Sequence, residues 1–323
     1  MTVSGPPSSS DSIARLAKWP NDAVGSSIRW FRDQFQSLGI PIRADCALYA
    51  ALVRLDELKG LLDMQIAKRF ASLDDMVNFN AEADGADFLS KMLHRGTLAG
   101  LALDRRRWRH LVCGNPIPTM TAPSSLERNL AWETVLACAM ATFCKNVRFV
   151  EPDVMGEFEG HDFGVAAKVA YSPRNLWENV GKGATQANGR SSAALIFVNV
   201  VGLLPLAEMF QASQSLGGAE EIREWIDDWA CRWYKRPEVI AMAAELQQTV
   251  KNPIGVAFFM PFVVQAERQP VPCFYTHMPI VWGADDDSPD YRFARAFLDA
   301  CNTVLGFQSP ISAVGSAEGG ATL

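Results

Sequence analysis

The sequence lacks several patterns that would assign it to a common enzyme class. It has no Gly-rich phosphate-binding loop, no Gly-x-Ser-x-Gly elbow and no histidine pair with the spacing of a zinc site. None of its seven cysteines forms a Cys-x-x-Cys pair, and their number is odd. A disulfide framework and a zinc centre are therefore both disfavoured, and reduced thiols in a cytoplasmic protein are expected.

The chain also lacks a long hydrophobic run and an excess of positive charge. Its longest apolar stretch, residues 193–207, contains Asn199 and Gly202 and is too short to cross a bilayer. The Ser- and Pro-rich first residues contain no apolar segment, so no signal peptide and no membrane association are expected. Because the net charge is −6, any nucleic-acid contact must come from a local patch or from a partner.

What the sequence does have is enough apolar material for a large core, in two regions of different periodicity. Hydrophobic residues make up 49% of 323 residues, which predicts one large domain or two modest ones. We predict a disordered tail over 1–12, a helical region over 13–122, an α/β domain over 123–308 and a flexible tail over 309–323. The sequence leaves open whether the helical region binds a protein partner and whether the chain forms a homo-oligomer.

In the α/β domain the apolar spacing alternates between helix and strand patterns. A helix is predicted over 124–143 from its capping box, followed by three short strands, a helix and a buried strand. The predicted strands are 146–152, 154–159, 163–170 (after a turn at 160–162), 193–201, 254–264 and 273–282, and the later helices are 174–188, 206–215, 218–247 and 289–304. This order predicts a mixed sheet flanked by helices and preceded by an all-helical region.

Two charged residues stand at the ends of apolar runs in this domain. Asp153 follows Pro152 after the run 147–150, and Lys168 closes the run 163–167. If these runs are neighbouring antiparallel strands, the two side chains can meet at one end of a sheet. A carboxylate beside an ammonium group is what metal-assisted phosphodiester cleavage needs, because the acid holds Mg²⁺ and the lysine orients a water or offsets phosphate charge.

This arrangement resembles the PD-(D/E)xK nuclease superfamily, which has the restriction-endonuclease-like fold. Pro152-Asp153 and Lys168 match its pattern, whereas the second acidic position holds Ala166. The resemblance covers about residues 124–205. It implies a mixed sheet flanked by helices, Mg²⁺ or Mn²⁺ as cofactor and DNA as substrate, with Asp153 and Lys168 as catalytic residues.

Because Ala166 cannot bind a metal ion, a replacement carboxylate must come from elsewhere. Glu133 falls on the apolar face of the preceding helix, where an acid is costly unless it is paired or bound to metal. Glu178 shares a face with Lys182 and Gln186 on the following helix. In relatives, a helix glutamate sometimes supplies the ligand, and a Gln or Lys on the latter helix contacts the site. Glu133 and Glu178 are thus both predicted metal ligands and catalytic residues, Gln186 a catalytic residue, and Glu151 a further possible ligand.

Other polar residues carry weaker expectations. Lys182 and Arg174 are predicted to contact the nucleic-acid backbone. The basic run 105–110 is a second candidate for phosphate contact, with Trp108 stacking on a base. His161 is read as a turn residue, and the acids 285–287 as a loop before a helix.

Three interpretations remain open from the sequence. The first is a metal-dependent DNA nuclease, in which Lys168→Ala abolishes cleavage with little effect on stability because an edge lysine adds little to packing. The second is a nuclease-like fold that no longer cuts and serves as a nucleic-acid-binding or assembly module. The third is an unrelated scaffold, which a separation above about 10 Å between Asp153 and Lys168 would indicate.

Overall fold

The structure is a computed structural model. It describes residues 22–42, 46–58, 73–113, 126–188, 194–249, 253–264, 273–277, 280–281 and 289–305. Both predicted tails, 1–12 and 309–323, and the predicted boundary near residue 123 lie outside the described residues. Within the described part, no helix has the length and apolar character needed to cross a membrane.

The first part of the chain is helical, as its spacing predicted. Helices α1 (Asp22–Leu38), α2 (Ala47–Leu58), α3 (Leu73–Leu98) and α4 (Arg105–Cys113) precede the first strand. Phe31 and Phe35 on α1, one turn apart, are both buried, and so are Leu48 and Leu52 on α2. This spacing puts one apolar stripe of each helix into a common core.

The second part alternates helices and strands. Its elements are α5 (Leu126–Ala141), β1 (Lys145–Arg148), β2 (Val154–Phe158), β3 (His161–Val169), α6 (Pro173–Ala187), β4 (Ala194–Asn199), a short 3-10 turn (Val201–Leu203), α7 (Leu206–Ser213), α8 (Ala219–Tyr234), α9 (Pro237–Thr249), β5 (Pro253–Val264), β6 (Cys273–His277), β7 (Ile280–Val281) and α10 (Pro289–Leu305). Ser172 caps the N-terminus of α6, because its side chain accepts a hydrogen bond from the Asn175 N–H.

The strands form one mixed sheet in the order β1-β2-β3-β4-β5-β6, with β7 also paired to β5. The first three strands are antiparallel neighbours, whereas β3, β4 and β5 run parallel. Helix α6 therefore makes the crossover that two adjacent parallel strands require. Strands β6 and β7 run antiparallel to β5, so they extend the same sheet as predicted.

Alternate residues of β3 and β4 pack into two separate cores. Val165 and Phe197 face the core formed with α1–α5 and α10. Ala166 and Ile196, each the neighbour of one of those residues, face the core formed with α6–α9. The sheet is therefore covered by helices on both faces, which explains why residues 194–198 of β4 are all apolar.

Several predicted boundaries were wrong for identifiable reasons. The hairpin turn is Glu159-Gly160, where both residues have positive φ, so His161 and Asp162 are strand residues. The predicted helix 218–247 is two helices because Pro237 starts a new one. The predicted strand 273–282 is likewise divided into β6 and β7.

Candidate active site

Asp153 and Lys168 are in direct contact. The Lys168 ammonium group donates a hydrogen bond to Asp153 Oδ2 at 2.6 Å, and the Ala167 backbone N–H donates to the same oxygen at 2.8 Å. Each of the two charged side chains is only 14% exposed. The separation that would have indicated an unrelated scaffold is therefore not found, and the predicted meeting of these two groups is confirmed.

The route by which they meet differs from the prediction. The run 147–150 and strand β3 are not neighbours, because β2 lies between them. The last described pair of the β2–β3 ladder is Val154 with Val165. Asp153 comes just before β2. Its side chain accepts a hydrogen bond from the Ala167 N–H of β3, beyond the last residue pair of the two strands. The Asp153 carboxylate thus lies beside β3, at the place where β2 begins.

Lys168 is not an edge lysine. It lies on β3, the third strand in the sheet order, and pairs with Val198 of β4. Because it is largely buried and bonded to Asp153, the expectation that Lys168→Ala would leave stability nearly intact loses its basis. Removing this side chain would leave a buried carboxylate with a single described donor.

Glu133 on α5 belongs to the same charge cluster. Its side chain is 23% exposed, and its Oε2 lies 3.4 Å from Arg107 Nη1 on α4. Burial raises the pKa of Glu133, and the negative charge of Asp153 raises this pKa further. The positive charges of Arg107 and Lys168 act in the opposite direction. Glu133 therefore responds electrostatically to both members of the Asp153–Lys168 pair.

Burial is also the main cause that raises the pKa of Asp153. The Lys168 ammonium group and the Ala167 N–H lower it, whereas the charge of Glu151 raises it. The negative charge of an exposed acid, Glu151, is thus close enough to act on Asp153. Burial thus disfavours the charged forms of both Asp153 and Glu133, and the charge of Asp153 adds to this effect at Glu133.

Ala166 faces the helix that crosses the sheet at this level. Its side chain is fully buried. A Cβ placed on Gly183 of α6 would lie 3.5 Å from Ala166 Cβ and 2.8 Å from Ile196 Cγ2. Glycine at position 183 therefore lets α6 lie close to β3 and β4 at the level of Ala166 and Ile196, where a larger side chain on the helix would meet Ile196.

The predicted residues of α6 do not join the Asp153–Lys168 contact. Glu178 is half exposed and forms its ion pair with Arg174 at 3.2 Å. Lys182 is exposed. Asn179 joins α6 to the strand residue that follows Lys168, because its side chain donates to the Val169 carbonyl. Gln186 is partly buried and lies about two turns further along the helix. Gln186 Oε1 is buried and has no hydrogen-bond partner among the described residues. The helix acid coupled to the pair is thus Glu133.

The basic run 105–110 is divided between the interior and the surface: Arg107 and Trp108 contact other elements, whereas Arg106 and Arg109 are exposed. Trp108 is buried against Trp30, Phe31 and Phe35, so it cannot stack on a base. Arg105 donates to the Gly39 carbonyl.

Arg107 reaches Glu133, a contact that the sequence reasoning missed. Its signal was the spacing of Arg107 and the buried Leu111, one turn apart, because this places Arg107 on the inward side of α4.

The remaining expectations concern residues away from this contact. His161 is exposed and lies against the ring of Phe293, 6.0 Å between centroids. The acids 285–287 lie outside the described residues. Within the described part of the chain, no three His, Cys, Asp or Glu side chains form a group that could hold a metal ion.

No family model, no curated protein and no solved structure matches this chain.

Any functional assignment therefore rests on the residues themselves. The residues that carry charge here are Asp153 and Lys168, at β2 and β3, and the ion pair of Glu133 on α5 with Arg107 on α4. Such a set can bind a divalent cation with two carboxylates while the lysine offers a proton donor beside it, because magnesium in proteins is held by one or two carboxylates and keeps several waters.

Proposed function

We propose that this protein is a metal-dependent DNA nuclease of the PD-(D/E)xK type. The observation that carries the proposal is the 2.6 Å contact between Lys168 Nζ and Asp153 Oδ2 beside β3. The strand order supports it: a helix, three antiparallel strands, a crossover helix and a parallel fourth strand follow the layout of that fold. DNA as the substrate rests on the resemblance.

The two acids fit a magnesium or manganese ion. Burial and the negative charge of Asp153 both disfavour the charged form of Glu133, and a divalent cation would offset this cost. Both described hydrogen bonds to Asp153 end on Oδ2, so we assign Oδ1 and the Glu133 carboxylate to the ion. When bound, the ion would polarise the scissile phosphate and lower the pKa of a water molecule.

Lys168 is the proton donor in the proposed reaction. Its ammonium group is held beside Asp153, so its other protons can be donated to a water or to a phosphate oxygen. The backbone N–H of Ala167 fixes the Asp153 carboxylate and thereby the direction of the lysine. Arg174 and Lys182, exposed on α6, are proposed to contact the nucleic-acid backbone.

Cleavage assays on linear and supercoiled DNA with Mg²⁺ or Mn²⁺ test this function. We expect Lys168→Ala to lower the rate by about 100-fold or more, since a positioned proton donor contributes that much. Lys145→Ala, which changes an exposed strand lysine, is the matched control and should cut normally. Cleavage by folded Lys168→Ala at the wild-type rate would contradict the role assigned to this lysine.

The two glutamates give a second comparison. Glu133→Gln should abolish cleavage, whereas Glu178→Gln should leave it within about twofold, because only Glu133 is coupled to Asp153 in the structure. If Glu178→Gln is the variant that loses activity, the metal ligand has moved to α6 and our assignment of Glu133 is wrong.

A second candidate function is a nuclease-like module that binds or assembles without cutting. The alanine at position 166 favours it, and so does the hydrogen bond from the Ala167 N–H, which gives Asp153 a structural role without a metal ion. Calorimetry with Mn²⁺ on the wild type and on Asp153→Asn separates the two. Binding that is lost in the variant favours the nuclease, and no binding in either favours the inert module.

A further inference from the structure

Arg107 on α4 connects the helical region to the two acids, Glu133 and Asp153, through three contacts. Its Nη1 lies 3.4 Å from Glu133 Oε2 and 3.1 Å from Thr134 Oγ1, both on α5. Its guanidinium carbon lies 3.7 Å from the centre of the Phe149 ring. Arginine suits such a position because its planar group can bond in its plane and stack on an aromatic face at the same time.

Each contact fixes a different part of the site. The Oγ1 of Thr134 is oriented by its own hydrogen bond to the Leu130 carbonyl, so it offers Arg107 a defined acceptor. The ion pair then sets the direction of the Glu133 carboxylate. Phe149 belongs to the segment between β1 and β2 that ends at Asp153, so stacking on Phe149 holds the approach to the second acid.

We infer that Arg107 is the positioning residue of this acid site, and that helix α4 is consequently part of the functional unit. The inference rests on the proposed function, because it assigns to Arg107 the alignment of Glu133 and Asp153 toward one divalent cation. Arg107 itself binds neither metal nor substrate in this assignment. It fixes the orientation of the acids, as hydrogen-bonded neighbours of metal ligands do.

Manganese binding to the full chain, measured by calorimetry without nucleic acid, tests the inference. We expect Arg107→Met to weaken Mn²⁺ binding about 10-fold or more, the usual effect of losing a partner of a ligand. Arg107→Lys keeps the charge but loses the fork geometry, so its loss should be intermediate. Arg295→Met is the matched control: it removes an arginine from the exposed ion pair with Asp299 and should bind as the wild type does.

The outcomes separate this inference from the proposed function. If the wild type binds Mn²⁺ and folded Arg107→Met binds it equally well, Arg107 is only a structural link and the inference is overturned, while the nuclease proposal stands. If the wild type binds no Mn²⁺, both are overturned. Should Arg107→Met fail to fold by circular dichroism, Arg107→Lys decides, since wild-type affinity in that variant refutes the positioning role.

Discussion

At the scale of single residues, Asp153 has a structural role as well as the proposed chemical one. Its Oδ2 accepts from the Ala167 N–H, which the β2–β3 ladder leaves without a strand partner, and from the Lys168 ammonium group. A part-buried N–H and a part-buried cation both depend on this one oxygen. Loss of function in an Asp153 variant must therefore be separated from loss of stability.

Two replacements of Asp153 make that separation. Asp153→Ala should lower the free energy of unfolding by about 3 kcal/mol, because it leaves the Lys168 charge and the Ala167 N–H unpaired. Asp153→Asn keeps an acceptor for the N–H and should cost about half as much. Asp299→Ala, which breaks an exposed ion pair, should cost less than about 1 kcal/mol. Urea unfolding measures all three, and equal losses for the alanine and asparagine variants would contradict the role of the N–H.

Glu133 should make stability depend on pH. Its pKa is raised in the folded protein, first by burial and then by the charge of Asp153, from an ordinary value near 4.5. Between that ordinary value and the raised one, the folded state holds a proton that the unfolded state has lost. The contribution of Glu133 to stability is therefore most favourable below the window and decreases as pH rises through it.

Glu133→Gln removes this titration. Relative to the wild type, the variant should gain stability as pH rises above the ordinary pKa of 4.5, in urea unfolding at each pH. Glu178→Gln, at an exposed position, serves as the control and should follow the wild type. A stability difference between wild type and Glu133→Gln that stays constant with pH would contradict the raised pKa.

At the scale of elements, a glycine sets how closely α6 packs on the sheet. Gly183 lets the helix approach Ala166 and Ile196 to van der Waals contact. Asn179 joins the same helix to the β3 backbone by donating to the Val169 carbonyl. Gly183 and Asn179 together hold α6 against this face of the sheet, whereas Glu133 lies on α5, which packs on the other face.

Two glycines of α6 provide a matched test of this packing. Gly183→Ala should cost about 1–3 kcal/mol, since its Cβ would lie 2.8 Å from Ile196 Cγ2. Gly181→Ala, with no heavy atom within 4 Å of its Cβ, should instead stabilise the helix by about 0.5–1 kcal/mol. Thermal unfolding of both variants gives the comparison, and opposite signs are the expected result.

At the scale of the whole molecule, the helical region and the sheet share one core. Phe88 on α3 stacks on Phe259 of β5, with 6.1 Å between ring centres, and Trp132 on α5 lies against the same ring. Gly96 on α3 is so close to Cys138 on α5 that a Cβ on Gly96 would overlap its sulfur. The apolar side of α5 is thus covered partly by the helices before it and partly by the sheet.

This shared core predicts that the α/β part does not fold as well without the helical region. A chain of residues 123–308 would expose the surface of α5 that α3 covers and would lose the Arg107–Glu133 pair. We expect it to unfold at a clearly lower urea concentration than the full chain, or without a cooperative transition. Tryptophan fluorescence and circular dichroism give the measurement, and equal midpoints would show that the two parts are independent.

The sequence by itself determined the order and type of most elements, because periodicity in apolar residues follows from the geometry of one helix or one strand. It also located Asp153 and Lys168, since each interrupts an apolar run. Only the tertiary structure decided which acid accompanies them and what Arg107 and Trp108 do. Those outcomes depend on which faces of separate elements meet, and on a glycine contact between α6 and β3, neither of which is encoded in local spacing.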